Sequence, residues 1–235
     1  MTRYLFTLLL CVQFSFSQSA DHLNTILKQL KLNESQIRIE LFTEKILPYD
    51  KNKSVLVIPK YASDIEEGSF VLDAYILVID NVTGKIIYKF IEPNAWTSDA
   101  LILTDITIDT GLYYLNKTTR AFGIRADYRT QSQPNPFSET NLSLYIVEKN
   151  TLKPVLHNYR VYKYGGEWDM KCDGEFEDID STIDIDKLQN NNFNNLIIKT
   201  KITKTENTFK NDDCDSKETI KKETTKLIFD GKQYK

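Results

Sequence analysis

The sequence predicts an antiparallel all-β body, a sandwich or an open barrel, with one amphipathic helix near its N-terminus. Three observations carry that prediction. After Asn33, apolar and polar residues alternate in run after run at the strand period of two. Turn-forming residues such as Asp80-Asn81-Val82-Thr83-Gly84 and Lys149-Asn150-Thr151 separate these runs. Strands do not alternate with helices, so a parallel α/β sheet is not expected.

The helix comes first, over about residues 20–32. Leu23, Ile26, Leu27 and Leu30 fall at i, i+3, i+4 and i+7, one face of an α-helix. Ser19 or Asp21 suits its N-cap, and Asn33 suits its stop. So narrow a stripe suits docking onto the main body. Ile37, Ile39 and Leu41 then alternate with Arg38 and Glu40, as in a half-buried strand.

Ser54 to Ile58 reads as a short β-branched strand stopped by Pro59. Phe70–Ile79 and Lys85–Ile91 flank a hairpin turn in which Gly84 takes a positive φ. Strands are expected over Leu101–Asp109, Leu112–Leu115 and Thr119–Tyr128. Leu142–Glu148 and Pro154–Lys163 flank the Lys149-Asn150-Thr151 turn. Thr182–Leu188, Leu196–Phe209 and Glu218–Phe229 complete the sheet, and Asp230-Gly231 marks a last turn. The longest irregular stretches are expected at Tyr61–Ser69, Thr130–Thr140 and Tyr164–Asp180. No Pro-, Gly- or Ser-rich linker divides the chain, so residues 18–235 are read as a single β-rich domain.

Residues 1–17 have the pattern of a secretory signal peptide. Arg3 supplies the positive charge, Tyr4–Phe14 the apolar stretch, and Ser15 and Ser17 the small residues before a cut. That apolar stretch is too short to span a bilayer. The expected location is therefore periplasmic or extracellular. Loss of Arg3 takes the formal charge from −3 to −4, a balance that points neither to nucleic acid nor to an anionic membrane. Two cysteines then remain, Cys172 and Cys214, and an even count in an exported chain reads as a disulfide.

Signals of catalysis are sparse. The two histidines, His22 and His157, are far apart in sequence, and there is no G-x-S-x-G elbow, S-x-x-K or P-loop. The main anomaly is acidic. Nine carboxylates fall between Glu167 and Asp186, opposed only by Lys171. Six of them, Glu167, Asp169, Asp173, Glu175, Glu177 and Asp180, form the candidate binding or metal loop.

Asp169, Asp173, Gly174 and Asp180 match four positions of a calcium-loop template, but Lys171 and the final Asp depart from it. Calcium is the one cofactor such a loop suggests. Paired carboxylates among Glu167, Asp169 and Glu175 would also serve a hydrolase of envelope polymers. Lys199, Lys201, Lys204, Lys221, Lys222 and Lys226 read as an exposed face or a lysine-guarded edge. Aromatic residues are too sparsely interleaved with these lysines for a nucleic-acid groove.

The stretches Gly166-Glu167-Trp168-Asp169 and Cys172-Asp173-Gly174-Glu175-Phe176, then Cys214 and Leu227–Tyr234, resemble a class of uncharacterised exported bacterial proteins. Arg120–Gly123 and Ser138–Thr140 share in the likeness, which covers roughly Leu101 to the C-terminus. The resemblance implies export and a disulfide, and it implies no activity. The expected function is a non-catalytic binding or interaction module whose partner is another protein or a cell-envelope component. The alternative is the carboxylate hydrolase.

Overall fold

A computed structural model describes residues 22–62 and 68–235. The signal peptide over 1–17, the caps at Ser19 and Asp21, and the first helical positions lie outside the described residues. Two antiparallel sheets dominate, as the alternation predicts. One has four strands, β1 (Thr43–Leu47), β2 (Asp50–Tyr61), β3 (Phe70–Asp80) and β4 (Ile86–Ser98). The other has seven: β5 (Ile102–Asp109), β6 (Phe122–Arg129), β7 (Phe137–Glu148), β8 (Thr151–Trp168), β9 (Gly174–Asn190), β10 (Phe193–Lys210) and β11 (Asp213–Leu227). Within each sheet, every strand pairs with its neighbour in sequence, so both are meanders. The chain changes sheet at Ser98, whose buried hydroxyl accepts the Leu103 N–H at 3.1 Å.

The pleat divides the apolar residues between two layers. Val55, Val57, Ile76 and Val78 point inward against Ile106, Phe122, Ile124 and Tyr145 of the second sheet. Leu56, Ile58, Leu77 and Ile79 point outward, where helix α1 (22–30) covers them with Leu23, Ile26 and Leu27. Coverage on both faces explains why β2 and β3 carry continuous apolar runs. Gln29 clamps the helix in place. Its amide donates to the Gly84 carbonyl at 2.7 Å, and its carbonyl accepts the Ile86 N–H at 3.2 Å. Gly84 has φ +63, and a Cβ there would lie 3.3 Å from Thr25. Both the turn and the helix contact favour glycine.

A third cluster covers the other face of the seven-stranded sheet. The 113–121 loop and the C-terminal Phe229 and Tyr234 pack there on Leu142, Leu144, Val155, Leu196 and Ile198. The Tyr234 hydroxyl donates to the Asn194 carbonyl at 2.7 Å.

Four sequence expectations are corrected. Residues 37–41 are not a strand. They hold one bridge, Ile37 to Lys60, and a 3-10 turn at Ile39–Leu41 that follows another at Glu34–Gln36. Ile37 and Leu41 are buried while Ile39 is exposed, so the apparent alternation of apolar residues is not a strand face. Leu112–Leu115 is a loop, tied by the Tyr114–Arg120 bridge and by the buried Tyr113 and Leu115.

Pro59 does not stop its strand. β1 pairs with β2 only as far as Val57, so Pro59 sits where β2 has no strand on that side and a missing N–H costs nothing. Its carbonyl still accepts the Arg38 N–H at 2.8 Å. Tyr164–Asp180 is not a long loop. β8 runs through Trp168 and β9 starts at Gly174, leaving 169–173 as the turn.

Candidate functional site

Strands β8 to β11 outrun the core. The last buried side chain along β10 is Ile198, yet the strand continues to Lys210. On β11, every residue but Leu227 is exposed. Beyond the core these strands form a single-layer arm with solvent on both faces.

The arm's tip is closed covalently by the Cys172–Cys214 disulfide, with a Cα–Cα separation of 5.7 Å. Cys172 lies in the β8–β9 turn and Cys214 at the start of β11, so the bridge ties that turn to the outermost strand. The disulfide is compatible with export. Among the described residues, no helix is long and apolar enough to cross a membrane.

Two cross-strand glycine–aromatic pairs shape the tip. Gly166 is opposite Phe176, and Gly174 is opposite Trp168. A Cβ on Gly166 would lie 2.3 Å from the Phe176 ring, and one on Gly174 would lie 2.3 Å from Trp168 Cβ. Gly166 therefore stands inside β8 because the Phe176 ring lies over it, and Gly174 opens β9 where the backbone and Cβ of Trp168 leave no room for a side chain. Tyr164 stacks on Phe176 with ring centroids 6.1 Å apart, and Trp168 follows at 6.3 Å. The Trp168 indole donates to the Gln133 carbonyl at 2.7 Å, which anchors the Pro134–Pro136 loop to the arm.

The six candidate carboxylates divide by role. Asp169 holds the turn. Its carboxylate accepts the N–H groups of Lys171 and Cys172 at 2.9 and 2.8 Å, and these bonds lower its pKa. Asp173 accepts the Phe209 N–H at 2.6 Å and joins the turn to β10. Glu177 lies between Lys163 at 3.1 Å and Lys204 at 3.5 Å, and the Lys163 contact leads in lowering its pKa. Asp180 sits on the opposite sheet face, six residues along β9 from Gly174, or about 20 Å at the strand rise.

The calcium template is thus not assembled. Asp169 and Asp173 are bonded to backbone, and Asp180 is remote. Among the described residues, no group of three or more His, Cys, Asp or Glu side chains is placed to hold a metal ion.

Glu167 and Glu175 remain, and the register adds a third. Glu167 on β8 is directly opposite Glu175 on β9, and Glu175 is directly opposite Glu206 on β10. All three are exposed on one sheet face. None forms an ion pair among the described residues, although Lys217 of β11 stands opposite Glu206. Like charges directly opposite on adjacent strands destabilise a sheet.

The row lines two adjoining open depressions. One, of about 690 Å³, also takes in Trp168, Asp173, Asn207 and Thr208. The other, of about 450 Å³, is bordered by Glu177, Lys204, Lys217 and Thr219. Sequence reasoning missed Glu206 because only the β9–β10 register brings it beside Glu175.

The histidines are separate. His22 pairs with Glu44 at 2.8 Å, and His157 pairs with Glu92 at 2.6 Å. Comparison of the chain with protein-family models, with curated proteins and with solved structures finds no match.

Proposed function

We propose that this protein is an exported, non-catalytic interaction module that receives a basic segment of a partner protein on the arm. The observation behind this reading is the Glu167–Glu175–Glu206 row. Three like charges are held side by side, without ion pairs among the described residues, on a sheet whose tip is tied by a disulfide. Lysine or arginine side chains from a partner would relieve that repulsion. A preformed strand surface would also orient them at low entropic cost.

Adjacent strands place neighbouring carboxylates at separations that glycoside hydrolysis uses. That chemistry also needs one carboxyl shielded from water so that it can act as an acid. Glu167, Glu175 and Glu206 are all exposed.

The test is titration with a lysine-rich peptide of about ten residues, long enough to lie across several strands, read by Trp168 emission and by calorimetry. Replacing Glu167, Glu175 and Glu206 together by Gln is expected to weaken binding at least about tenfold, since neighbouring charged contacts act together. Replacing Glu34, Glu40 and Glu148 by Gln changes the net charge equally and is expected to leave binding intact. Equal loss in both variants, or no binding by the parent protein, would overturn the proposal.

A further inference from the structure

β11 is the outermost strand of the seven-stranded sheet. It pairs with β10 in unbroken register from Asp213 to Leu227, and its sequence contains no proline or glycine. Among the described residues, nothing pairs with its outer side. Such an edge presents a long row of N–H and C=O groups, and sheets usually blunt it with bulges, prolines, short strands or lysines. Here only the charged side chains do so.

Those charges are ordered so that β11 complements itself. Antiparallel pairing of the whole strand with a second copy sets Asp213 opposite Leu227 and Ile220 opposite Ile220. Lys217 then faces Glu223, and Glu218 faces Lys222. The two-fold axis repeats both, giving four opposite-sign pairs and no like-sign pair. Edge-facing N–H groups recur at every second residue, so the nearest competing register is a slip of two. In one direction it sets Lys217 against Lys221 and Asp215 against Glu223, and in the other it sets Lys221 against its own symmetry mate. Both slips bring like charges together, which disfavours them.

Ile220, 57% exposed, lies at the centre of the pattern, where pairing would bury it against its symmetry mate. Lys221 and Glu223 already form a contact along the strand at 2.7 Å. Both are exposed, and such surface pairs exchange partners at little cost.

We propose that two copies of this chain join β11 to β11, antiparallel, about a two-fold axis through Ile220. The result is one continuous sheet of fourteen strands, twice the seven of a single copy. The lysines act as a filter, rejecting unrelated strands and shifted registers while admitting the self-complementary one. This inference does not depend on the acidic row binding a partner.

The test is the oligomeric state of the mature, oxidised protein by sedimentation and light scattering over about 1–100 μM, a range in which a reversible dimer shows its concentration dependence. A dimer is expected. Lys217→Glu places like charges opposite each other twice and is expected to weaken the dimer at least about tenfold. Adding Glu223→Lys to Lys217→Glu is expected to restore it. The two positions are six residues apart on one strand, about 20 Å, so restoration reports a contact between chains.

Ile220→Cys is expected to give a disulfide-linked dimer on mild oxidation, because residues directly opposite have Cα atoms about 4.5–5.5 Å apart. Thr224→Cys, opposite Ser216 in this register, is expected not to cross-link. A monomer throughout the range, a dimer indifferent to Lys217→Glu, or equal cross-linking at 220 and 224 would overturn the proposal.

Discussion

Replacing Cys172 and Cys214 together by Ser tests how the arm is held. The two residues are separated by 42 positions. In the chain-entropy treatment, opening a loop of this length returns about 13 cal/mol/K to the unfolded chain, or about 4 kcal/mol at 25 °C. The native state sets how much of that is seen. The three buried clusters lie in the body, and β11 contributes to them only through Leu227. Without the bridge, the arm's tip is held by strand pairing and by the contacts of Trp168 and Phe176. Local opening there gives the native variant some chain entropy of its own.

The expected loss is therefore about 2–4 kcal/mol, with a fall in Tm of about 4–16 °C. Urea denaturation measures the first, and thermal melts the second. Hydrogen exchange locates the change: amides of Trp168, Gly174, Phe209 and Ser216 should lose protection before those of β2 and β3. A double variant within about 0.5 kcal/mol of the parent, less than disulfide removal from a long loop should cost, would refute the reasoning if its tip amides also stayed protected.

Two further perturbations probe the body. Asp109 is half-buried and accepts bonds from the Tyr113 hydroxyl at 2.8 Å, the Gly111 N–H at 2.8 Å and Arg125 Nε at 2.9 Å. Burial raises its pKa, but these bonds outweigh burial and the net shift is downward. A depressed folded pKa contributes stability that is present above the unfolded value near pH 4 and lost as pH falls through the folded one. Asp109→Asn should cost about 1–3 kcal/mol at pH 7 and flatten the decline of stability below pH 4 in urea titrations; an unchanged pH profile would count against it.

Ile26 is fully buried beneath α1. Ile26→Ala should cost about 2–5 kcal/mol in denaturant titration, and a loss below about 1 kcal/mol would show that the helix is not docked as described.

Features encoded by near neighbours were legible without coordinates. The β3–β4 turn forms because the Asp80 carboxylate accepts the N–H groups of Val82 and Thr83 while Gly84 supplies a positive φ. The β7–β8 turn is a two-residue loop, Lys149 and Asn150, with Lys149 at positive φ. The α1 stripe is periodic within nine residues, 22–30. The disulfide could be read from the two cysteines that lie beyond the expected signal peptide. Where a pattern was short, it misled: five alternating residues at 37–41 fit a strand as well as a pair of tight turns. The docking of Arg38 against Pro59 and the burial of Leu41 under the second sheet, both long-range, went with the turns.

The chain's own order of residues thus determined the all-β class, the helix, the β3–β4 and β7–β8 hairpins and the bridge, since each depends on contacts within a few positions or on chemistry that composition reveals. Tertiary structure alone decided the extent and the face of the arm. Gly166 looked like a loop residue because the Phe176 ring that covers it comes from the neighbouring strand. Glu206 drew no notice because its relation to Glu167 and Glu175 passes through the register of three strands. A shift of one residue would turn it to the opposite face, and that register is set by the buried ends of the same strands, at Leu196 and Ile198.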